Sequence, residues 1–416
     1  MRRVLVIGGG AAGLMAAISA ARAGAKVTLL EQNKQVGKKL LVTGNGRCNL
    51  TNRVQDLSCY RGSSPEFIRT ALDGFGLLEA LEFFHGIGIV TRERNGYFYP
   101  YCDQASAVVD ALRMEAEHQR VKLALNTKVR EIFKEKGHFF VKTPGWTYEG
   151  DALILAAGSC AAPETGSDGS GYELAEAMGH SVIEPLPALV QLRSGDPVFP
   201  KLRGLRMEAR VSLFSGKRLL AEDRGEVQFT EYGLSGIPVF QVSRYGAKAL
   251  HAGGEVSAVL NFLPFLNREE TAVFWDARIR QGAYKSIGQL LVGLFPKKMA
   301  DCLLKRAGIP GGKAAGELTD KEQEMLRLVC TSFEVRISAC NGFDRAQVCC
   351  GGVDTKEADP RTMESRLVPG LYLAGELLDV DGACGGYNLQ WAWTSGYLAG
   401  THSAAQPANE SRAVTK

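Results

Sequence analysis

The segment from Arg3 to Glu31 narrows the possible folds more than any other part of the chain. A short apolar strand over Arg3–Ile7 runs into the turn Gly8-Gly9-Gly10. An alanine-rich stretch from Ala11 to Ala23 follows, with Gly13 as its single breaker, and reads as a helix. Gly24 ends that helix, and Lys26–Leu30 reads as a second strand. This is one β-α-β unit in about 30 residues. Its glycines have G-x-G-x-x-G spacing, after a strand and at the mouth of a helix, which is the context that gives the string meaning. Gly8 permits the tight turn, Gly10 lets backbone approach a pyrophosphate, and Gly13 lets helix and sheet pack closely. Ala11 and Ala12 open the helix, where free amides and the dipole favour an anion.

Glu31 closes the second strand. A carboxylate there accepts hydrogen bonds from both ribose hydroxyls of an adenosine and repels a 2′-phosphate, so FAD or NAD is expected and NADP is not. Two later strands decide between them. Leu153 to Gly158 ends in Ala156-Ala157-Gly158, and Gly370-Leu371-Tyr372-Leu373 ends in Ala374-Gly375-Glu376. A strand followed by Ala-Gly-acid recurs near the C-terminus of two-dinucleotide-type flavoproteins, where the acid meets the ribityl chain. An NAD dehydrogenase needs neither strand, so the expected cofactor is FAD. The loop Gly44-Asn45-Gly46-Arg47-Cys48-Asn49 combines glycines with a cation and amides, and can wrap the pyrophosphate and the flavin edge. Asp379 opens a last motif, which runs through Gly385-Gly386-Tyr387-Asn388-Leu389 into a helix. Amides at that helix start would face the flavin C2 carbonyl and favour negative charge there. Trp391 and Trp393 lie two apart and cannot both face one way.

Between these motifs the texture changes. Helices are expected over Pro65–Gly86 and Ala105–Gln119, strands over Val121–Val141. Pro185 and Pro187 mark a boundary, after which short β patterns run from Val190 to about Leu263. Asn267 to about Leu328 reads as helical. The expected architecture is α/β: a two-dinucleotide-type, Rossmann-like FAD-binding domain with an inserted β-barrel-like domain and a small inserted helical domain. The expected limits are 1–188 and 349–405 for the FAD domain and 189–265 for the β insert. The helical insert takes 266–330, a return segment of the β insert 331–348, and a disordered tail 406–416.

Bulk properties exclude several classes. The 48 glycines are clustered rather than spread in low-complexity tracts, and the net charge of +4, from 49 basic and 45 acidic residues, gives no field suited to nucleic acid. No two of the ten cysteines have the spacing of a zinc site, so no metal is expected and the thiols read as free in a reducing cytoplasm. The uncharged run Val4–Ala21 contains glycines in a turn pattern, so it is expected to fold rather than to span a membrane.

The motifs together resemble a bacterial family of NAD(P)/FAD-dependent oxidoreductases, also labelled aminoacetone-oxidase-like FAD-binding enzymes, which includes a 3-dehydro-bile acid Δ4,6-reductase. The matching strings are Lys38-Lys39-Leu40-Leu41 leading into Gly46–Asn52; Thr165-Gly166-Ser167 with Asp168–Tyr172; Tyr232–Gly236; Gly351-Gly352-Val353; and the stretch from Thr362 through Trp393. The resemblance implies further cofactor contacts at Gln32, Lys38, Lys39, Leu40 and Val129, beside Ala157 and Gly158. It also implies a small-molecule substrate. Relatives commonly carry a bulky residue and a Thr where this chain has Ala383 and Cys384, and often His and Pro at Glu231 and Ile237. Ala383 would therefore widen the pocket for a large substrate.

The expected reaction passes hydride from NAD(P)H through the flavin to an activated C=C, an enone of steroid or bile-acid type. With no second G-x-G-x-x-G string, the nicotinamide is expected to bind transiently. Tyr387 is the candidate acid or carbonyl clamp, and Cys48 a candidate catalytic contact at the flavin edge. The alternatives are an amine or alcohol oxidase using O2, a nucleic-acid-modifying flavoprotein and a non-enzymatic flavin redox sensor. The oligomeric state is left open.

Overall fold

The computed structural model describes residues 1–405; the tail 406–416, expected to be disordered, lies outside the described residues. The chain divides into two compact units, one formed by Met1–Leu186 together with the residues from Gln347 onward, the other by Pro187–Ala346.

In the first unit, β1 (Arg3–Ile7), β2 (Lys26–Leu30), β3 (Lys122–Ala124), β4 (Ala152–Leu155) and β5 (Leu371–Leu373) form one sheet. Their order is β5-β4-β1-β2-β3, with every pair parallel. β4 and β5 are buried along their whole length, as strands covered on both faces must be. Consecutive strands β1 and β2 pair on one side of β1, while β4 arrives on the other. Between those two neighbours the carboxyl ends open the crevice where such sheets bind ligands.

Helix α1 (Ala11–Arg22) is buried at every residue from Ala12 to Ala20, so it is a core helix rather than an amphipathic one. Against it lies α2 (Tyr387–Ala404). Their approach depends on small residues: a Cβ on Gly400 would stand 2.3 Å from the Ala16 carbonyl oxygen. The helices expected after Pro65 are Pro65–Gly74 and Leu77–Gly86, the first capped by the Ser64 side chain. The uncharged run Val4–Ala21 is β1, the glycine turn and most of α1. Among the described residues no helix is long and apolar enough to cross a membrane.

The second unit contains a seven-stranded sheet whose edges are Phe333–Ile337 and Ala339–Cys340. Only Ser338 separates these edge strands, and its amide donates to the Arg193 carbonyl at 2.9 Å, so the sheet curls round like a barrel. The expectation of short strands fails in two ways: Arg206–Ser215 and Arg218–Phe229 run for 10 and 12 residues, and Ile237–His251 is a helix of 15 residues. Four helices follow between Arg268 and Thr331. Trp275, Leu303 and Leu326 from them join Phe229, Val211 and Phe333 from the strands in one apolar cluster. The stretches 189–265 and 266–330, expected as two inserts, thus share a core and stand as one unit.

Candidate functional site

The carboxyl ends of β1, β2, β4 and β5 bring the predicted glycines and acids of the first unit together. α1 begins at Gly10 with no side chain to cap it, and its first internal bond is Leu14 N–H to Gly10 O at 2.9 Å. The amides of Ala11, Ala12 and Gly13 therefore point ahead of the helix. Gly8 has φ +102°, and a Cβ on Gly13 would overlap its carbonyl oxygen at 1.8 Å. Around Gly10, by contrast, nothing lies within 4 Å of where a Cβ would stand. Strand and helix are pressed together while the turn between them stays open.

Glu31 is 7% exposed, yet no cation among the described residues holds it. Its Oε2 accepts the Gly9 amide at 2.7 Å, and its Oε1 accepts the Asn33 amide at 2.8 Å and the Asn33 side-chain Nδ2 at 2.7 Å. The carboxylate is fixed by three donors and keeps one acceptor site, on Oε2, for a hydroxyl. Gln32 and Lys38 reach a neighbouring loop: Gln32 Nε2 donates to Gly166 O at 2.7 Å, and Lys38 Nζ to Glu164 O.

A second acid sits at the end of β5. Glu376 Oε2 accepts from Lys39 Nζ at 2.6 Å and from Ser159 Oγ at 3.0 Å, so the acid, the cation and the end of β4 meet. Gly375 lies over α1, where a Cβ would stand 2.8 Å from that of Ala12. Gly158 and Ala157 continue the wall, packed on Ser167 and Gly171. Leu40 is buried, and Val129 packs at the margin of the same core. Asp379 is turned inward instead: its carboxylate accepts the amides of Ser63 at 2.9 Å and Gly351 at 3.1 Å.

The remaining predicted residues gather at the start of α2. Gly386 takes φ +100° and brings the 49–51 segment close, since a Cβ there would stand 2.7 Å from Thr51 O and 3.0 Å from Asn49 Oδ1. Asn388 is bound back to the preceding loop, accepting the Gly382 amide at 2.7 Å and donating to Gly382 O at 3.0 Å. Leu389 is half-buried. Gly46 ends a short irregular turn, and the half-buried Arg47 lies over the Tyr99 ring at 5.3 Å. Cys48 is fully enclosed, and burial pushes its thiol up to about 12, so it stays protonated behind the wall. The two indoles diverge: Trp391 donates to Gly375 O at 3.1 Å and Trp393 to Leu50 O at 2.9 Å. One helix thus ties the end of β5 to the loop that follows the glycine turn.

Tyr387 stands with residues that sequence reasoning missed. Tyr60 meets it edge-on at 5.5 Å, and the Tyr97 and Tyr387 rings both bracket Gly385. Burial first, then a hydrogen bond with Cys59, raises the Tyr387 phenol well above its usual range. It is a neutral donor at any physiological pH. Asn33, Ser159, Tyr60 and Tyr97 were invisible because each acts through a partner distant in sequence or through a turn of backbone. For Tyr97 the alternation of Tyr97-Phe98-Tyr99 was the available signal.

FAD fits these residues. The α1 amides are free ahead of an open turn, Glu31 has spare acceptor capacity, and the buried Asn49 Oδ1 and Tyr172 hydroxyl have no hydrogen-bond partner among the described residues. Each is a group whose burial is unfavourable until something meets it.

Comparison with known proteins agrees with this reading. The family described as the HI0933-like protein Rossmann domain matches residues 2–402. A 3-dehydro-bile acid delta(4,6)-reductase of Clostridium scindens is 47% identical over 409 residues, covering 98% of this chain and 100% of that protein. A ribosomal RNA dihydrouridine synthase of Escherichia coli is 32% identical over 395 residues, covering 94% of this chain and 96% of that protein. Among solved structures, the 3-ketosteroid delta1-dehydrogenase of Sterolibacterium denitrificans shares the fold, with a TM-score of 0.50 at 13% identity, covering 97% of this chain and 100% of that one.

Proposed function

Because this chain belongs to the HI0933-like family and is a flavin-dependent oxidoreductase, we propose that it reduces a C=C bond conjugated to a carbonyl. The substrate class we assign is a steroid enone of bile-acid type. The observation that carries this is the 47% identity, end to end, with a reductase of such a compound. The tyrosines at the start of α2 support it.

Bound FAD supplies the hydride. The chain's own residues hold and orient. The α1 amides and Glu31 grip the dinucleotide, while Lys39, Ser159 and Glu376 fix its middle. Tyr387, kept protonated by burial, donates a hydrogen bond to the substrate carbonyl and polarises the double bond. Tyr60 and Tyr97 supply an apolar wall with polar tips, suited to a large, mostly apolar ring system. Electrons enter from NAD(P)H bound transiently, because no second glycine fingerprint exists in the sequence. We place the protein in the cytoplasm on its ten free cysteines.

A second reading has one observation in its favour, the 32% identity with an RNA dihydrouridine synthase. Saturating uridine also reduces a C=C beside a carbonyl, so the two readings share chemistry and differ in substrate. Against it, three surface arginines of the second unit, Arg206, Arg224 and Arg203, are each paired with a carboxylate, Glu226, Glu208 and Glu231, although residues 187–346 carry 23 basic against 17 acidic side chains.

The test is anaerobic. The bound flavin is reduced, then a 3-oxo-Δ4 steroid or a uridine-containing RNA is added, and return of the yellow colour is timed. Reoxidation by the steroid is expected. Reoxidation by RNA alone would replace this reading with the second. In the same assay Tyr387→Phe should retain its flavin and lose roughly 10²-fold in turnover; full turnover would remove the phenol from the reaction.

A further inference from the structure

We propose that Arg94 is a specificity-determining residue that receives a carboxylate on the substrate, so that the substrate is a steroid acid rather than a neutral steroid. This rests on the steroid-enone reading above and deepens it. Arg94 ends the strand Thr91–Arg94, which pairs antiparallel with Tyr97–Pro100 across the two-residue turn Asn95-Gly96. Asn95 and Gly96 take φ +52° and +88°, the left-handed pair that so tight a hairpin needs. Register then decides which side chains share a face. Arg94 stands opposite Tyr97, and Tyr97 opposite Asn52 on the next strand, so the three form one row across the sheet.

The inner end of that row touches the site. Asn52 Nδ2 donates to Gly385 O at 2.9 Å. A Cβ on Gly385 would stand 2.9 Å from the Tyr97 ring and 3.4 Å from the Tyr387 ring. Two strand spacings, about 10 Å, then separate the Asn52 backbone from that of Arg94. A long apolar ring system whose carbonyl meets Tyr387 can lie along this row, past Tyr97, and carry its side chain out to Arg94.

At the outer end positive charge is in excess. Arg92, two residues back on the same face, pairs with Asp103, and Arg94 reaches that carboxylate only at 3.4 Å. Arg92 also lies over the Tyr101 ring at 5.6 Å, and Arg47 over the Tyr99 ring at 5.3 Å. Three guanidiniums thus gather round one carboxylate. Glu93 does not change the balance, because it stands on the other face, opposite Phe98, and is paired with Arg53. The Arg92 Nε is buried with no partner among the described residues, a further donor in excess. The Arg94 side chain is 48% exposed, so most of its fork of N–H donors is open to a ligand. That planar fork matches a carboxylate in shape as well as in charge.

The experiment uses the flavin-loaded full chain and two ligands without the reactive double bond: a saturated 3-oxo steroid with a carboxylic-acid side chain, and its methyl ester. Binding is read from the shift of the flavin absorption band. The acid is expected to bind about tenfold tighter than the ester, a charge-assisted contact discounted for exposure. Arg94→Gln should erase that difference and leave the ester's affinity unchanged, and Arg94→Lys should restore part of it. In turnover of the unsaturated acid, Arg94→Gln should raise KM with kcat unchanged, since the contact is remote from the reacting carbon. Absence of acid binding, equal binding of acid and ester by the unaltered protein, or equal weakening of both in Arg94→Gln would overturn the proposal. So would a higher KM for NAD(P)H in place of the steroid acid, which would give the cation to the reductant. An unsaturated acid that binds through Arg94 and leaves the reduced flavin bleached would sink the enone reading and spare the carboxylate site.

Discussion

The two ends of the five-stranded sheet treat charge in opposite ways. Where β1 and β4 begin, charges satisfy one another: Arg3 donates to Asp151 at 2.8 Å and to Glu149 at 2.9 Å, and His138 lies 3.1 Å from Asp151. Where β1 and β2 end, Glu31 is held by amides alone, and the adjacent helix begins without a cap. The first end is closed and serves stability. The second keeps acceptors and donors in reserve, which makes sense only if a ligand completes them. Ion pairing and burial are therefore not uniform measures of importance, and the least satisfied groups point to the site.

Three substitutions would break or sharpen this contrast. The largest effect is expected from Gly13→Val at the open end. Its side chain has no room beside Gly8 O, so the turn must move; the purified protein should be colourless and should not recover flavin absorbance on adding FAD. A yellow Gly13→Val protein would show that the turn does not hold the cofactor.

Glu31→Gln should act more mildly. Glu31 accepts on both oxygens, so an amide in its place must turn a donor toward either Gly9 or Asn33. The expected loss is about tenfold to hundredfold in FAD affinity, read by titrating the apoprotein. An unchanged affinity would mean that the carboxylate serves only the turn.

The smallest effect belongs to the closed end. The hydrogen bond from Arg3 holds the Asp151 carboxyl at about 2, below its ordinary 3.8. A depressed pKa contributes stability above the unfolded value and loses it as pH falls through the folded one. Asp151→Asn should therefore cost about 1 kcal/mol at neutral pH, discounted because the pair is partly exposed. The two proteins should converge in denaturant midpoint as pH falls from about 4 to about 2. Flavin content should be the same in both; a colourless Asp151→Asn would erase the distinction between the ends.

The open end was largely readable from residues in order, because its parts are local: a glycine turn, an alanine helix, an acid at a strand end. Pairings that cross the chain were not. Glu376 announces itself as an acid after Ala-Gly, but nothing adjacent names Lys39 or Ser159 as its partners. The same holds for Thr51 Oγ1, which donates to Gln390 Oε1 at 2.6 Å in the buried interior. The helix Ile237–His251 was hidden for another reason. Val239, Phe240, Val242 and Tyr245 are residues that favour strands, and they mask the helical spacing of the buried Val239, Val242, Ser243, Gly246 and Ala247. Pro238 in its first turn was the overlooked start signal.

The position of β5 also bears on how the protein is made. It completes a sheet whose other strands are synthesised far earlier, and α2, emerging after it, supplies the indoles that tie Gly375 to Leu50. On the ribosome the nascent nucleotide fold must wait, one strand and one helix short, while the whole intervening unit is translated. The cofactor cannot be locked in until β5 and α2 have left the exit tunnel, so loading follows synthesis of the whole intervening unit.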